Sequence, residues 1–402
     1  MSDQDFRDDL QALSRIGPDP AGGWSRPAWS AAENEAHLWF AARARAAGLE
    51  VRRDAFGNTI ARREGSVADL PAVALGSHLD TVLNGGLYDG ALGVLAALEI
   101  ARRTAPGRHP IEIIAFRDEE GRFGPFTGSR AMMGLLPPEV LGARAADGAV
   151  LGEAMAAAGL VPEGAGAAAR DPAGIGCWLE LHIEQGPVLE AAGLPLGIVT
   201  AIAGQERMSL RFAGEAGHAG TTPMTGRRDA FQAAARFATA FDAMIRAEPD
   251  GPRGTIGIVR VLPNQGNVIP RDVRLNLEIR DASAETVQRL AAQTGALAAR
   301  IGAETGTAVE TRRGFSAAPV PMAPALVDLL ARQAGAQAMR LVSGANHDAG
   351  VLGALIPAAM VFVPSRGGLS HVPEEHSDEG PILAAIDVLA RAVQELVEAI
   401  PR

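Results

Sequence analysis

Four short apolar segments of this chain each lead directly into histidine or carboxylate side chains. Apolar runs of this length with no turn residue inside predict buried strands. The segments and the polar side chains that follow them are residues 72–75 with His78, Asp80 and Asp89, residues 111–116 with Glu119 and Glu120, residues 178–181 with His182, and residues 358–363 with His371. Helical segments lie between them, which predicts a largely parallel mixed α/β sheet flanked by helices. Sites on such sheets gather beyond the carboxyl ends of the strands, so these side chains should meet at one edge.

The middle of the chain has a different order of predicted elements. Strands and helices follow one another as β-α-β-β-α-β, which is the order of a ferredoxin-like α+β sandwich. A chain of 402 residues is also too long for one ordinary core. We therefore predict a catalytic metal-binding domain formed by residues 1–206 and 318–402. An inserted lid or dimerisation domain is predicted over residues 207–317.

The overall charge and composition exclude several classes of partner. The chain has 37 basic and 47 acidic residues, which argues against nucleic acid or an anionic membrane as the main partner. No apolar run approaches the roughly 20 residues of a membrane span. The first residues lack the basic and apolar regions of a signal peptide. Cys177 is the single cysteine, so no internal disulfide can form, and we expect a cytoplasmic protein.

The side chains at the strand ends have the chemistry of a metal site. Three imidazoles and two carboxylates are too many ligands for one tetrahedral ion, but they suit two ions if one carboxylate bridges. Two ions roughly 3.5–4 Å apart can activate a water molecule and polarise a carbonyl. The adjacent pair Glu119 and Glu120 allows one carboxylate to bind metal while the other transfers a proton.

Seven motifs, in order along the chain, carry a family resemblance. They are GSHLDTVLNGGLYDG, FRDEEGRFG, LELHIEQGPVLE, AGHAGTTPM, PNQGNVIP, SGANHDAG and GGLSHVPEE. The chain resembles the hydantoinase/carbamoylase branch of the M20-type dinuclear metallohydrolases. That branch includes N-carbamoyl-L-amino acid hydrolases, β-ureidopropionases and allantoate amidohydrolases. The resemblance spans essentially the whole chain.

The resemblance implies a role for each side chain of the predicted site. His78, Asp89 and His182 would bind one ion, and Asp89, Glu120 and His371 would bind the other, with Asp89 bridging. Glu119 would act as general base and then acid, and Asp80 would orient His78. His376 is the alternative to His371 as a ligand, and His371 is preferred because it follows the Gly-Gly loop directly.

The resemblance also implies groups that bind the substrate. His218 would donate to the developing oxyanion, and Gln185 and His347 would reach the same cavity. Asn267 and Arg280 match family positions that bind the substrate carboxylate, for which the planar arginine fork is well suited. In the family, such inserted-domain groups reach the partner subunit's site, which implies a homodimer.

We expect from these features a hydrolase that cleaves the ureido C–N bond of N-carbamoyl-L-amino acids and releases ammonia and carbon dioxide. Allantoate is an alternative substrate, and an aminoacylase or dipeptidase is a second alternative. A metal-stabilised binding protein without catalysis is the third. Zinc is the first choice of metal, with manganese, cobalt and nickel as alternatives, because all accept mixed imidazole and carboxylate ligands.

Overall fold

The computed structural model describes residues 3–249 and 251–400. The chain divides into two compact units, one formed by the stretches up to Thr200 and from Met322 onward, the other by Ala201–Pro321. The predicted insertion, residues 207–317, falls inside the second unit. The helices and strands up to the boundary are α1 Gln4–Leu13, α2 Ala31–Ala46, β1 Glu50–Arg53, β2 Thr59–Arg63, β3 Ala72–His78, α3 Ala91–Arg103, β4 Ile111–Phe116, α4 Thr127–Met132, α5 Leu151–Ala157, β5 Ile175–Ile183, α6 Val188–Ala192 and β6 Leu196–Ile202.

The remaining elements belong to the second unit and to the return of the first. In the second unit they are β7 Gly204–Ala213, α7 Ala230–Arg246, β8 Arg253–Leu262, β9 Asp272–Asp281, α8 Ala284–Thr305 and β10 Ala308–Ala317. Strand β11 Val320–Pro321 ends the second unit, and the first unit resumes with α9 Pro324–Ala334, β12 Ala338–Ser343, α10 Asp348–Gly353, β13 Ala358–Val363 and α11 Glu379–Leu396.

The large sheet has the strand order β1-β2-β4-β3-β5-β13-β6-β11, with β12 paired to β6. Its centre is parallel, because β3 pairs in parallel with β4 and β5, and β5 with β13. The pairings of β1 with β2, β2 with β4, and β6 with β13 are antiparallel. The predicted mixed α/β sheet is confirmed, and its parallel part is these four central strands.

Three of the four central strands are buried along their whole length. Every residue of β3, β4 and β13 is buried, which is the pattern of strands covered on both faces. Helix α3 packs directly on this sheet, and a Cβ at Gly93 would lie 2.5 Å from the Leu181 carbonyl oxygen. Glycine at that position lets the helix that follows the Asp89 loop lie close to β5.

The second unit has the ferredoxin-like order that the sequence predicts. Its sheet runs β10-β7-β9-β8, and neighbouring strands pair antiparallel. Alternate residues of β7 (Met208, Leu210 and Phe212) are buried in a core that includes residues of α7 and α8. Ser209 and Arg211 point to the opposite, polar face because side chains alternate along a strand.

The structure contains elements that the sequence reading did not predict. Strands β6 and β12 and the short helix α10 fall in stretches without a clear periodic pattern. Between β4 and β5 the chain contains α4, α5 and short 3₁₀ turns. Helix α11 ends at Leu396. Among the described helices, none is long and apolar enough to cross a membrane.

Candidate metal centre

Loops at the carboxyl edge of the parallel strands hold the predicted ligands. His78 is the last residue of β3 and pairs with Phe116, the last residue of β4. His182 lies one residue before the end of β5, opposite Phe362 of β13. The register of the four strands therefore brings their ends, and the loops that follow, to one edge of the sheet.

One group of donors lies on one side of the Asp89 carboxylate. The Nε2 atoms of His78 and His182 lie 3.6 Å and 3.3 Å from Asp89 Oδ1. All three side chains are buried. The approach of His78 requires glycine at position 90, because a Cβ there would lie 2.3 Å from the imidazole ring.

A second group lies on the other side of the same carboxylate. His371 Nε2 is 3.2 Å from Asp89 Oδ2 and 3.4 Å from Glu120 Oε2. His371 is half exposed and has a φ of 60°. The two oxygens of Asp89 thus face different donor groups, which is the arrangement of a bridging carboxylate.

The tautomers of the two buried histidines leave a lone pair directed at Asp89. The Nδ1 of His78 lies 3.0 Å from the Asp80 carbonyl oxygen, and the Nδ1 of His182 lies 3.0 Å from the Ile183 carbonyl oxygen. Because a carbonyl only accepts, each Nδ1 carries the proton and donates it. The Gly90 N–H also donates to His182 Nε2 at 3.3 Å, which requires a lone pair there. Imidazoles whose Nδ1 is held in this way present Nε2 as a metal ligand.

The donor spacing and the unpaired atoms fit divalent ions. Ligand atoms about 2.1 Å from a tetrahedral ion lie roughly 3.4 Å from one another, close to the separations measured on both sides of Asp89. His78 Nε2 and Glu120 Oε1 are buried without a hydrogen-bond partner among residues 3–249 and 251–400. Both donor groups satisfy the proximity expected of metal ligands. The residues present could therefore hold a metal ion on each side of Asp89.

Asp80 connects the two strand ends that carry His78 and the acidic pair. Its Oδ1 and Oδ2 accept the backbone N–H groups of Glu119 at 3.3 Å and Glu120 at 3.2 Å. Asp80 Oδ1 also lies 3.5 Å from His78 Nδ1. The buried carboxylate of Asp80 thus fixes the turn on which both glutamates lie, while its backbone carbonyl accepts from His78.

Glu119 lies beside the centre but in neither donor group of the described residues. Its Oε2 is 3.7 Å from His78 Nε2. Burial, together with the negative charges of Glu120, Asp348 and Asp89, raises the pKa of Glu119 well above its ordinary value. A buried carboxyl group with a raised pKa is suited to accept and return a proton.

Gln185 and His347 reach the centre in different ways. Gln185 Nε2 donates to Asp89 Oδ2 at 2.8 Å, so its amide contacts the carboxylate between the two donor groups. His347 is buried, its ring centroid is 4.4 Å from that of His182, and its Nε2 is 3.1 Å from Ser343 Oγ. Burial lowers the pKa of His347 well below its ordinary value, so this ring is neutral.

Sequence reasoning missed two carboxylates of this region, Glu180 and Glu375. Glu180 forms a third close group with His182 and His347, but it already accepts from Ser77 Oγ and the Ala349 N–H. Glu375 accepts backbone N–H groups of the Asp89 loop. Glu375 lies inside the GGLSHVPEE motif, although no spacing pattern distinguishes it from its neighbour Glu374. His376 contacts Tyr88 and Asp378 instead of Asp89.

The second unit holds the three remaining residues, His218, Asn267 and Arg280. The Ala219 N–H donates to the Asn267 carbonyl at 3.0 Å, so His218 and Asn267 lie on adjoining loops, both exposed. His218 Nδ1 accepts from the Gly220 N–H at 3.1 Å, which leaves the proton of the neutral ring on Nε2. This exposed N–H is available to a partner of negative charge.

Arg280 lies at the opposite end of strand β9. Asn267 precedes Asp272, the first residue of β9, whereas Arg280 lies one residue before the end of β9. The Nε of Arg280 donates to Glu278. Ten residues of antiparallel strand extend for roughly 30 Å. One copy of the unit therefore cannot place both Asn267 and Arg280 on a single small carboxylate.

Comparisons with known proteins show the family of this chain. Residues 74–395 match the family model described as peptidase family M20/M25/M40. The chain is 42% identical to the N-carbamoyl-L-amino acid amidohydrolase of Geobacillus stearothermophilus, with 97% of each chain covered. It is 35% identical to the allantoate amidohydrolase of Escherichia coli, with 98% of each covered. A hydantoinase/carbamoylase family amidase from Burkholderia multivorans is 33% identical with a TM-score of 0.91, covering 98% of this chain and 97% of that one.

These matches confirm the resemblance carried by the seven motifs. The chain belongs to the peptidase family M20/M25/M40, in its hydantoinase/carbamoylase branch, and is a hydrolase of C–N bonds.

Proposed function

We propose that this enzyme hydrolyses the ureido C–N bond of N-carbamoyl-L-amino acids, with two divalent ions as cofactors. The observation that carries the proposal is the Asp89 carboxylate, whose oxygens face separate donor groups beside the uncoordinated acid Glu119. The name of the Geobacillus relative supports the choice of substrate. Zinc is proposed first because imidazole and carboxylate suit it, and manganese, cobalt and nickel remain alternatives.

The residues around Asp89 divide the chemistry between them. When bound, two ions would acidify a shared water molecule and polarise the scissile carbonyl. Glu119 takes the proton of the attacking water and returns it to the terminal nitrogen as the C–N bond breaks. Ammonia leaves, and the remaining carbamate loses carbon dioxide to give the free amino acid. Asp80 keeps Glu119 and His78 in position through the contacts described above.

The exposed residues of the inserted unit are proposed to bind the substrate. The N–H at Nε2 of His218 would donate to the oxyanion, where one fixed donor is worth roughly 3 kcal/mol. Asn267 and Arg280 would bind the substrate carboxylate, and Gln185 and His347 would line the same cavity. Since Asn267 and Arg280 lie at opposite ends of β9, their joint action requires two chains. This separation supports a homodimer in which each site combines residues of both subunits.

Hydrolysis of allantoate is the second candidate. Two relatives that match this chain over nearly its whole length are named allantoate amidohydrolases, those of Bacillus subtilis at 34% identity and Escherichia coli at 35%. Allantoate also combines ureido groups with a carboxylate, so the same donors would serve. The higher identity to the Geobacillus carbamoylase places N-carbamoyl amino acids first.

The test is ammonia release from a panel of substrates by metal-stripped protein reloaded with one ion at a time. We expect ammonia from N-carbamoyl-L-amino acids with zinc, manganese, cobalt or nickel, and none from the stripped protein. Ammonia from allantoate alone would select the second candidate. Ninhydrin-positive products from N-acyl amino acids or dipeptides, without ammonia from either ureido substrate, would overturn the proposal in favour of an aminoacylase or dipeptidase.

A further inference from the structure

Glu375 is a buried carboxylate that none of the steps above uses. Only 4% of its surface is exposed, and no cationic side chain pairs with it among the described residues. A carboxylate buried without an opposite charge is costly unless hydrogen bonds satisfy its oxygens. The hydrogen-bond partners of its two oxygens therefore indicate the role of Glu375.

The two oxygens of Glu375 bind two different loops. Oε1 accepts the backbone N–H groups of Tyr88 and Asp89, each at 3.0 Å. Oε2 lies 3.1 Å from Ser370 Oγ and accepts the His371 N–H at 3.4 Å. One side chain thus connects the loop that carries the carboxylate between the donor groups to the loop that carries the outermost imidazole.

The same two loops also contact each other through side chains. Ser370 Oγ lies 2.9 Å from Asp89 Oδ2, and Gln185 Nε2 donates to that same oxygen. Ser370 has a single hydroxyl proton, which it can donate to Asp89 Oδ2 or to Glu375 Oε2. The backbone and the side chain of Asp89 are therefore both fixed relative to the loop of His371.

Gly86 leaves the space that Glu375 occupies. A Cβ at position 86 would lie 2.0 Å from Glu375 Oε1 and 2.5 Å from its Cβ, so any other residue would force the whole side chain away. Gly86 does not have a positive φ, and alanine would therefore fit its backbone. Substitution there disturbs the Glu375 contacts without changing a charge.

We infer that Glu375 is a positioning residue, which holds the Asp89 and His371 loops at the separation needed for two ions on opposite sides of Asp89. The inference rests on the proposed dinuclear centre. It concerns the binding of the ions and not the choice of substrate. Glutamine cannot replace the glutamate, because its one carbonyl oxygen can serve one loop while its NH₂ group faces the N–H donors of the other.

The experiment measures zinc binding by the full chain in competition with a chromogenic chelator, for wild type, Glu375→Gln and Gly86→Ala. Glu374→Gln is the matched control, because it makes the same charge change at the adjacent exposed position. For Glu375→Gln and Gly86→Ala we expect at least a tenfold increase in the Kd of one zinc ion. The control should stay within twofold of wild type. At saturating zinc, kcat should recover in part while KM for the substrate changes little.

The thermal stability of the metal-free proteins separates positioning from a purely structural role. A lower Tm with an unchanged zinc Kd in Glu375→Gln would overturn the inference. If that variant does not fold, the same zinc criterion applies to Gly86→Ala, and an unchanged Kd there would overturn it equally. Wild-type protein that binds two ions but releases no ammonia from ureido substrates would refute the proposed function and leave the zinc comparison valid.

Discussion

The donor groups around Asp89 and the polar residues of the inserted unit differ in how they are held. His78, Asp89 and His182 are buried, and fixed backbone or side-chain groups orient each of them. His218 and Asn267 are exposed, and their contacts are to nearby backbone. The donor groups around Asp89 are held by contacts within one chain. The polar residues of the inserted unit are instead exposed and available to a substrate or another subunit.

This difference separates the two tasks of the proposed enzyme. Reacting groups must keep their geometry through the reaction, and the buried hydrogen bonds of the first region supply that rigidity. Groups that bind the substrate must first admit it, and exposure allows this. Changes in the first region should alter kcat and ion binding, whereas changes in the second should alter substrate-dependent steps with both ions retained.

The largest expected effect is that of Glu119→Gln. The substitution removes the proton acceptor but keeps the shape of the side chain, so kcat should fall about 10³-fold to 10⁴-fold. Zinc content should stay at the wild-type value, because Glu119 is in neither donor group of the described chain. Steady-state kinetics and metal analysis, with Glu374→Gln as control, test this. Near-normal turnover would contradict the role of Glu119.

His218→Ala should lower kcat about 10²-fold to 10³-fold, because a donor to the oxyanion would be lost. Unlike a change at a ligand, this substitution should leave both zinc affinities unchanged. If the zinc affinity also fell, the donor groups around Asp89 and the polar residues of the inserted unit would not be functionally separate. Kinetics and chelator competition on the same preparation provide the comparison.

Ion binding by the buried region should depend strongly on pH. The hydrogen bond to Asp89 and the negative charge of Glu120 raise the pKa of His371 to about 9 in the metal-free protein. Burial and the charge of Asp89 raise the pKa of Glu120 to about 7. Both groups must lose a proton to bind an ion, so affinity should increase with pH, with binding about 10³-fold weaker at pH 6 than at pH 8. A zinc Kd that does not change between these values would contradict this ligand set.

Arg280→Ala should have a smaller effect on activity than His218→Ala. Loss of charge-assisted hydrogen bonds worth roughly 1.5–3 kcal/mol should reduce kcat/KM about 10-fold to 100-fold, mainly through KM. Arg260→Ala is the matched control, because Arg260 lies on an adjacent strand and makes no side-chain hydrogen bond or ion pair with any described residue. Equal effects of the two substitutions would remove the special role of Arg280.

Mixing two impaired variants gives the smallest signal and the sharpest test of the homodimer. If each site takes Arg280 from one chain and His218 from the other, a mixed dimer of Arg280→Ala and His218→Ala chains contains one intact site. Random exchange of subunits should then restore about a quarter of wild-type activity, since half of the dimers are mixed and each has one intact site of two. Activity that stays at the level of the separate variants would show that both residues act from the same chain.

The parallel strands and the side chains at their ends were accessible from the sequence. Residues such as those of β4 and β13 form continuous apolar runs, and His78 or Glu119 follows where such a run ends. Strand β12 was missed because its residues are mostly half buried, so neither an apolar run nor a clear alternation marks it. Helix α10 has only six residues, too few for a helical period to be recognised.

The supporting groups of the candidate centre were less accessible than its ligands. Glu375 acts on backbone N–H groups of residues almost 290 positions earlier, and such contacts leave no spacing pattern. The separation of Asn267 and Arg280 likewise follows from the length of β9 and is not visible in the motifs that contain them. The motifs predicted candidate reacting residues, whereas the length of β9 showed that one chain cannot bring Asn267 and Arg280 together.

Anomalous diffraction from crystals of the zinc-loaded protein at the zinc absorption edge tests the central claim most directly. We expect two peaks per chain, one beside His78 and His182 and the other beside Glu120 and His371, roughly 3.5 Å apart across the Asp89 carboxylate. A single peak, or zinc bound away from Asp89, would contradict the account.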